Sequence, residues 1–260
     1  MRRQKQSSLT LLVSSLLWIV QVTSAPAGLM IRITADPGGA SENVMTFTDD
    51  DAFDLDNTAG NIFIAAFSVF DNAGNQTFDV NSLSVSSSTT LAPIDFDVLL
   101  DLLSFDAGKL RLEVTQTDLD SSFFINGGMY LADIGGTAGI FVPGMTMSYV
   151  SGFDAGNQAF NLATTVPQFD YTGGSQTFSY SGSASVSPLV APFSMTARYD
   201  FTATGGSQDI GFNSFNEMGV PVPEPGSLTA AVACTGLILW RLRKRRSSDV
   251  SVSGGESACG

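Results

Sequence analysis

Histidine is missing from all 260 residues, and the two cysteines, Cys234 and Cys259, both lie outside residues 28–220. That stretch therefore has no Ser-His-Asp or Cys-His catalytic set. It also has no tetrahedral zinc site of the usual Cys/His kind and no internal disulfide framework. Lysine is almost as scarce there: Lys109 stands alone, without the glycine-rich loop that would make it a phosphate cradle. Charged residues are 14% of the chain, well below the usual quarter. The two tryptophans, Trp18 and Trp240, sit near the two ends. The one enzyme chemistry these absences leave open is that of paired carboxylates, as in glycoside cleavage. Many Asp residues are present, but no pair stands out, so the chain reads as non-enzymatic.

What replaces the missing types is Gly, Ser, Thr, Asn and Asp, which favour turns and strands. Several segments alternate with period two. In residues 193–204, Phe193, Met195, Ala197, Tyr199, Phe201 and Ala203 share one face, and Ser194, Thr196, Arg198, Asp200, Thr202 and Thr204 the other. Leu110, Leu112 and Val114 alternate with charged neighbours, as do Ile94, Phe96 and Val98. One-sided burial of an antiparallel sheet produces this pattern. Ile62 to Phe70 is apolar on both faces, as in a central strand. Turn-forming clusters such as 71–75, 126–128, 135–136, 172–174 and 204–206 separate the runs. These features predict an all-β antiparallel sandwich of about ten strands in one domain, 28–220, with a jelly roll as one form open to it. Short helices could enter at Leu99 to Leu103 and at Phe123 to Ile134.

Charge is unevenly placed. Residues 28–220 hold 22 of the 25 acidic residues against four basic ones (Arg32, Lys109, Arg111 and Arg198), a net charge of −18. Such a surface repels nucleic acid and anionic membranes. The densest acidic stretch contains Asp49, Asp50, Asp51, Asp54 and Asp56. Calcium takes several oxygens on a flexible loop, so these five are its candidate ligands, although their spacing is not that of an EF-hand. The other reading is a solvated acidic loop. Nineteen phenylalanines against five tyrosines suggest core filling rather than a sugar-stacking surface.

The two ends carry addresses. Residues 1–8 are basic and polar, residues 9–20 are apolar, and Ala25 and Ala27 supply small residues where a signal peptidase would cut, after Ala27. Residues 1–27 thus read as a secretory signal. Near the other end, Val222, Pro223, Glu224 and Pro225 precede an uncharged apolar run from Gly226 to Trp240. A basic cluster follows: Arg241, Arg243, Lys244, Arg245 and Arg246. Fifteen helical residues span about 22 Å, short of the ~30 Å bilayer core unless the arginines snorkel. The cations would hold that end in the cytoplasm.

This order of motif, short apolar segment and arginine-rich end, over residues 221–246, resembles the PEP-CTERM sorting signal of Gram-negative bacteria. The resemblance implies a single membrane helix, docking in the inner membrane and processing by exosortase. It further implies a surface or matrix protein associated with exopolysaccharide or biofilm. Residues 247–260 would be a disordered tail. Two other readings stand beside it: a carbohydrate-binding or carbohydrate-active protein using Asp and Glu, and a permanent single-pass membrane protein.

Overall fold

The computed structural model describes residues 28–89, 93–139, 145–173 and 176–220. Ala25, Ala27, the Val222–Pro225 motif, the basic cluster and the tail all lie outside the described residues. Strands form where apolar and polar residues alternate. They are β1 (Leu29–Ala35), β2 (Asn43–Thr48), β3 (Asn61–Ile64), β4 (Phe67–Phe70), β5 (Gln76–Ser88), β6 (Ile94–Ser104) and β7 (Gly108–Leu119). The rest are β8 (Gly128–Ala138), β9 (Thr146–Asp154), β10 (Thr164–Thr165), β11 (Phe169–Tyr171), β12 (Thr177–Val186), β13 (Phe193–Ala203) and β14 (Asp209–Gly219).

These strands make two seven-stranded antiparallel sheets. Sheet I runs β10-β9-β13-β7-β1-β2, with β11 also on β9; sheet II runs β12-β8-β14-β6-β5-β3, with β4 also on β5. The chain changes sheet between β2 and β3, β6 and β7, β7 and β8, β8 and β9, β11 and β12, β12 and β13, and β13 and β14. The inner faces share one apolar core. In β13, the six residues of the apolar face from Phe193 to Ala203 are all buried, and Leu110, Leu112, Val114, Ile94, Phe96 and Val98 meet them. Burying each large side chain contributes about 1.5–3 kcal/mol.

Fourteen strands form among the described residues where about ten were expected, because short edge strands were not separable from loops. Ile62 to Phe70 is not one central strand but β3 and β4, broken at Ala65 and Ala66 on the sheet edge. Its second apolar face is explained by exposure: Phe63 is 39% and Phe70 44% accessible. Leu99 to Leu103 is part of β6, not a helix. A 3₁₀ turn, Ser121–Phe124, capped by the Asp120 side chain, overlaps the start of Phe123 to Ile134, and the rest of that stretch from Gly128 on belongs to β8. Gly135 and Gly136 lie within β8 rather than in a turn. A Cβ on Gly136 would fall 2.3 Å from the Gly211 carbonyl oxygen and 2.6 Å from the Phe178 ring, so glycine lets these strands close up.

Polar residues also enter the core, and they do so in pairs. Asn216 of β14 accepts hydrogen bonds from Tyr149 (2.7 Å) and Ser151 (2.5 Å) of β9, all three fully buried. Tyr130 of β8 bonds Ser151, and Tyr199 of β13 bonds Ser214 of β14. Burial raises the pKa of Tyr130, Tyr149 and Tyr199 well above the usual phenol value, so all three stay neutral. Tyr149 stacks on Tyr199 at 5.1 Å, and Tyr199 on Phe212 at 4.7 Å.

The two ends of the sandwich differ. One end has short turns, such as Asp71 to Asn75, where Gly74 takes φ 85° and Asp71 accepts from the Asn75 amide. The other end gathers the longer connections, 49–60, 120–127, 155–163 and 187–192, together with both limits of the domain at Gly28 and Val220. Loops held by a rigid scaffold are where function concentrates.

Two neighbours on β13 test the alternation. Phe201→Asp should unfold residues 28–220 or cost more than ~4 kcal/mol, since Phe201 is 1% exposed and an unpaired charge would enter the core. Thr202→Asp, outward and opposite Lys109, should change stability by under ~0.5 kcal/mol. Urea denaturation of both variants checks the pair; equal losses would mean the strand faces are misassigned.

Candidate functional site

The outward positions of sheet II form the most polar continuous surface. Cross-strand registers set them in rows. One row reads Ser86, Asp97, Phe215, Asp133, Ser181 across β5, β6, β14, β8 and β12. The row on one side of it reads Ser88, Asp95, Glu217, Leu131, Ser183, and the row on the other side Ser84, Leu99, Asn213, Gly135, Ser179. Phe63 of β3 extends this last row beyond Ser84. Asp79, Asp101 and Asp209 also face outward on β5, β6 and β14.

Diagonal neighbours on a sheet lie about 7–8 Å apart, within reach of large side chains. Leu131, Phe215 and Leu99 are such neighbours, so an apolar stripe runs obliquely across the face with carboxylates on both sides. A cleft of about 590 Å³ opens beside it, lined by Asp133, Gly135, Ser179, Ser181, Asn213 and Phe215 among others. No lysine or arginine shares this face: the four in residues 28–220 lie on β1, β7 and β13 of sheet I.

Crowding of carboxylates has a measurable consequence. Glu217 is directly opposite Asp95. Partial burial, then the charges of Asp95 and Asp133, push the Glu217 carboxyl above its usual range. Burial raises Asp95, and burial plus the Asp95 charge raises Asp97. These groups present hydrogen-bond acceptors beside an apolar strip. That combination suits hydroxyl-bearing rings with one apolar face.

The outer face of sheet I is built differently. The segment after β9 folds back over it. Phe160, at φ 59°, lies over the Arg32 guanidinium at 4.1 Å, and its amide donates to Thr115. Ser194 donates to the Gln158 carbonyl, and the hydroxyls of Thr115 and Thr196 pair at 2.8 Å. The outward residues Glu113, Thr115, Ser194 and Thr196 of β7 and β13 are therefore buried, and Glu113 bridges Arg32 at 2.6 Å. Arg111 pairs with Asp200 at 2.6 Å and Arg198 approaches the same carboxylate at 3.5 Å.

The five candidate calcium ligands do not converge. Asp51 accepts from the amides of Thr48, Phe53 and Asp54. Asp54 accepts from Asp50, Asp56 and Phe63, and Asp56 from Thr58. One oxygen of Asp49 accepts from Gly60 at 2.6 Å. Burial, with the charges of Asp50 and Asp54 adding to it, raises Asp49 against that bond. Against the cost of its own desolvation, the backbone donors hold Asp51 below the usual range. No group of three or more His, Cys, Asp or Glu among the described residues is placed to hold a metal. The loop instead folds Phe53 and Leu55 over an apolar groove of about 540 Å³ between β2 and the β3–β4 edge, where Phe53 meets Phe47 edge to face at 5.9 Å.

Phe215, Asp133, Asp95 and Glu217 were not among the residues singled out from sequence. The available signal was the alternation of β14, where Asn213, Phe215 and Glu217 share a face. Phenylalanine as core filling holds for Phe96, Phe193 and Phe201 but not for Phe53, Phe63, Phe105 or Phe215.

No family model matches the sequence, and no curated protein matches it. Among solved structures, the chain is similar to the K1 cleaved adhesin domain of Lys-gingipain from Porphyromonas gingivalis W83, at 11% identity and TM-score 0.32, over 66% of this chain and 97% of that one. It is similar to a mannan-recognising carbohydrate-binding module, TmCBM27, at 6% identity and TM-score 0.29, over 62% and 90%. It is also similar to the enzymatically active domain of Bacteriophage CBA120 tailspike protein 4, at 12% identity and TM-score 0.31, over 62% of this chain but spanning only 19% of that one. Scores this low say nothing of what this chain binds.

The carboxylate face predicts a pH profile. A carboxyl whose folded pKa is raised stabilises the fold below its unfolded pKa, and that contribution is lost as pH rises through the folded value. Stability should therefore increase as pH falls from neutrality through the raised values of Asp95, Asp97 and Glu217. It should decrease further down, when Asp51, Asp71 and Asp154, all held low, take up protons. Glu217→Gln should raise the melting temperature at pH 7 and flatten the rise toward acid. A variant whose profile parallels the parent would remove Glu217 from the cluster.

Proposed function

We propose that this chain is an exported, non-enzymatic cell-surface protein that binds polysaccharide on the outer face of sheet II. The observation that carries this reading is the oblique strip of Leu131, Phe215 and Leu99 set among Asp95, Asp97, Asp133, Asn213 and Glu217. A pyranose ring presents an apolar face and a rim of hydroxyls, and this surface offers a partner for each. Carboxylates without a cation among them repel uronate-rich or sulfated chains. The ligand class is thus a neutral or amine-bearing exopolysaccharide. Glu217, raised above its usual range opposite Asp95, is the observation that favours the second reading, cleavage of such a polysaccharide by paired carboxylates.

Phe215→Ala should weaken binding to the producing cell's exopolysaccharide at least tenfold, about 1.4 kcal/mol, with the fold retained. Asp133→Ala should weaken it as well. Affinity electrophoresis in gels containing the polysaccharide measures both. Unchanged mobility shifts in both variants would remove the face from the reading.

Export and anchoring rest on the two end segments and their resemblance to a secretory signal and a PEP-CTERM tail. Signal peptidase and exosortase would be the processing partners, and the membrane a transient one. Mass spectrometry of the mature surface protein should find a start near Gly28 and an end between Pro223 and Gly226. A mature protein still carrying Arg246 would favour a permanent single-pass anchor instead.

A further inference from the structure

We infer that the loop end of the sandwich carries an apolar tip that rests in the interfacial layer of a lipid bilayer. The inference relies on residues 226–240 being the membrane segment of the proposed function. The tip is assembled from three chain segments. The 3₁₀ turn and its exit present Phe123 and Ile125, 37% and 60% exposed. The 187–192 connection lies against them, with the Leu189 amide bonded to the Phe124 carbonyl at 3.0 Å, and presents Val190 at 92% exposure. The end of β14 pairs Gly219 with Met129, leaving Met129 42% and Val220 48% exposed.

Their backbone is fixed while their side chains are in water. Gly127, at φ 82°, has the Val186 carbonyl oxygen 2.5 Å from where a Cβ would lie, so only glycine lets the two loops meet. Phe124, 0% exposed and edge-to-face with Phe193 at 5.8 Å, anchors the turn to the core. The same turn then points Phe123 and Ile125 outward. Adjacent apolar side chains held outward on a rigid base are unfavourable in water and favourable in the acyl–headgroup boundary.

Chain length selects the occupant. The uncharged run begins at Gly226, six residues beyond Val220, and six residues reach at most about 22 Å in any conformation. A membrane segment starting there brings this end of the domain, and no other, within contact distance of lipid. The acidic loop 49–56 sits at the same end but on the β2–β3 edge, whereas the tip is carried by β7, β8, β12, β13 and β14. Repulsion between that loop and anionic headgroups would tilt the domain onto its tip. Three acids border the tip: Asp120 caps Ser122, Asp118 exchanges hydrogen bonds with Asn157, and Glu217, whose carboxyl is raised, lies beside Gly219.

The test uses the full chain with Cys234→Ser and Cys259→Ser, reconstituted in phosphatidylcholine vesicles. Nitroxide labels are placed singly at Ile125→Cys, Val190→Cys and, on the turn end, Ala107→Cys, all exposed positions where a label does not enter the core. Collision with dissolved oxygen, compared with a water-soluble nickel complex, reports lipid contact. Labels at 125 and 190 should favour oxygen severalfold over the label at 107. Protein that floats with vesicles while all three labels favour nickel overturns the tip and leaves the tail reading intact. Protein that does not float overturns the tail reading and the tip together.

Discussion

Everything exposed on sheet II depends on a polar contact hidden between the sheets. Asn216 sits in the core with Tyr149 and Ser151, and Ser214 sits there with Tyr199. Apolarity sets Ile210, Phe212 and Met218 of β14 inward and leaves Phe215 outward with Asn213 and Glu217, but it does not account for Ser214 and Asn216 on the buried face. Because side chains alternate with period two, a one-residue slip reverses every position on the strand. The slip would leave buried hydroxyls on β9 and β13 without partners, each costing about 1–3 kcal/mol. The buried network therefore fixes register, and register puts an aromatic ring on the surface between Asp97 and Asp133.

That ring shows how the sandwich divides its labour. Sheet I has its outer face occupied by its own chain, with Phe160 across Arg32 and Ser194 tied to Gln158. Sheet II has its outer face free over β5, β6, β14 and β8. The turn end is closed by tight connections, and the loop end carries long ones along with both limits of the domain. One broad face and one end are left with surface chemistry that internal packing does not explain, and they are different places. A domain held to a bilayer by one end would keep its broad face clear of it.

Strand faces were legible because the signal is local. Phe193 to Ala203 alternates without error, and all six apolar positions are buried. What was not legible came from contacts distant in sequence. Ser194 and Thr196 read as solvent-facing and are 0% exposed, because residues 155–163 return to cover them. Ile62 to Phe70 read as central because both its faces are apolar; its second face, with Phe63 and Phe70, is exposed at the sheet edge. Asp49 to Asp56 read as free carboxylates because sequence does not show which amides they cap. Phe215 was hidden among nineteen phenylalanines, although the alternation of Ile210, Phe212 and Met218 against Asn213 and Glu217 sets it outward.

The placement of charge has a consequence for how such a domain meets its surroundings. All four cations of residues 28–220 are on one sheet, and the outward carboxylates of the other stand uncompensated. The molecule is thus a dipole perpendicular to its sheets as well as a polyanion. Packed sheets are about 10 Å apart, and the screening length at physiological salt is about 8 Å. At that salt a neighbour touching one sheet senses little of the other, and the net charge is a poor guide to contact. In fresh water the screening length exceeds the thickness of the domain, the two faces act together, and the domain turns in the field of any charged gel before it touches it.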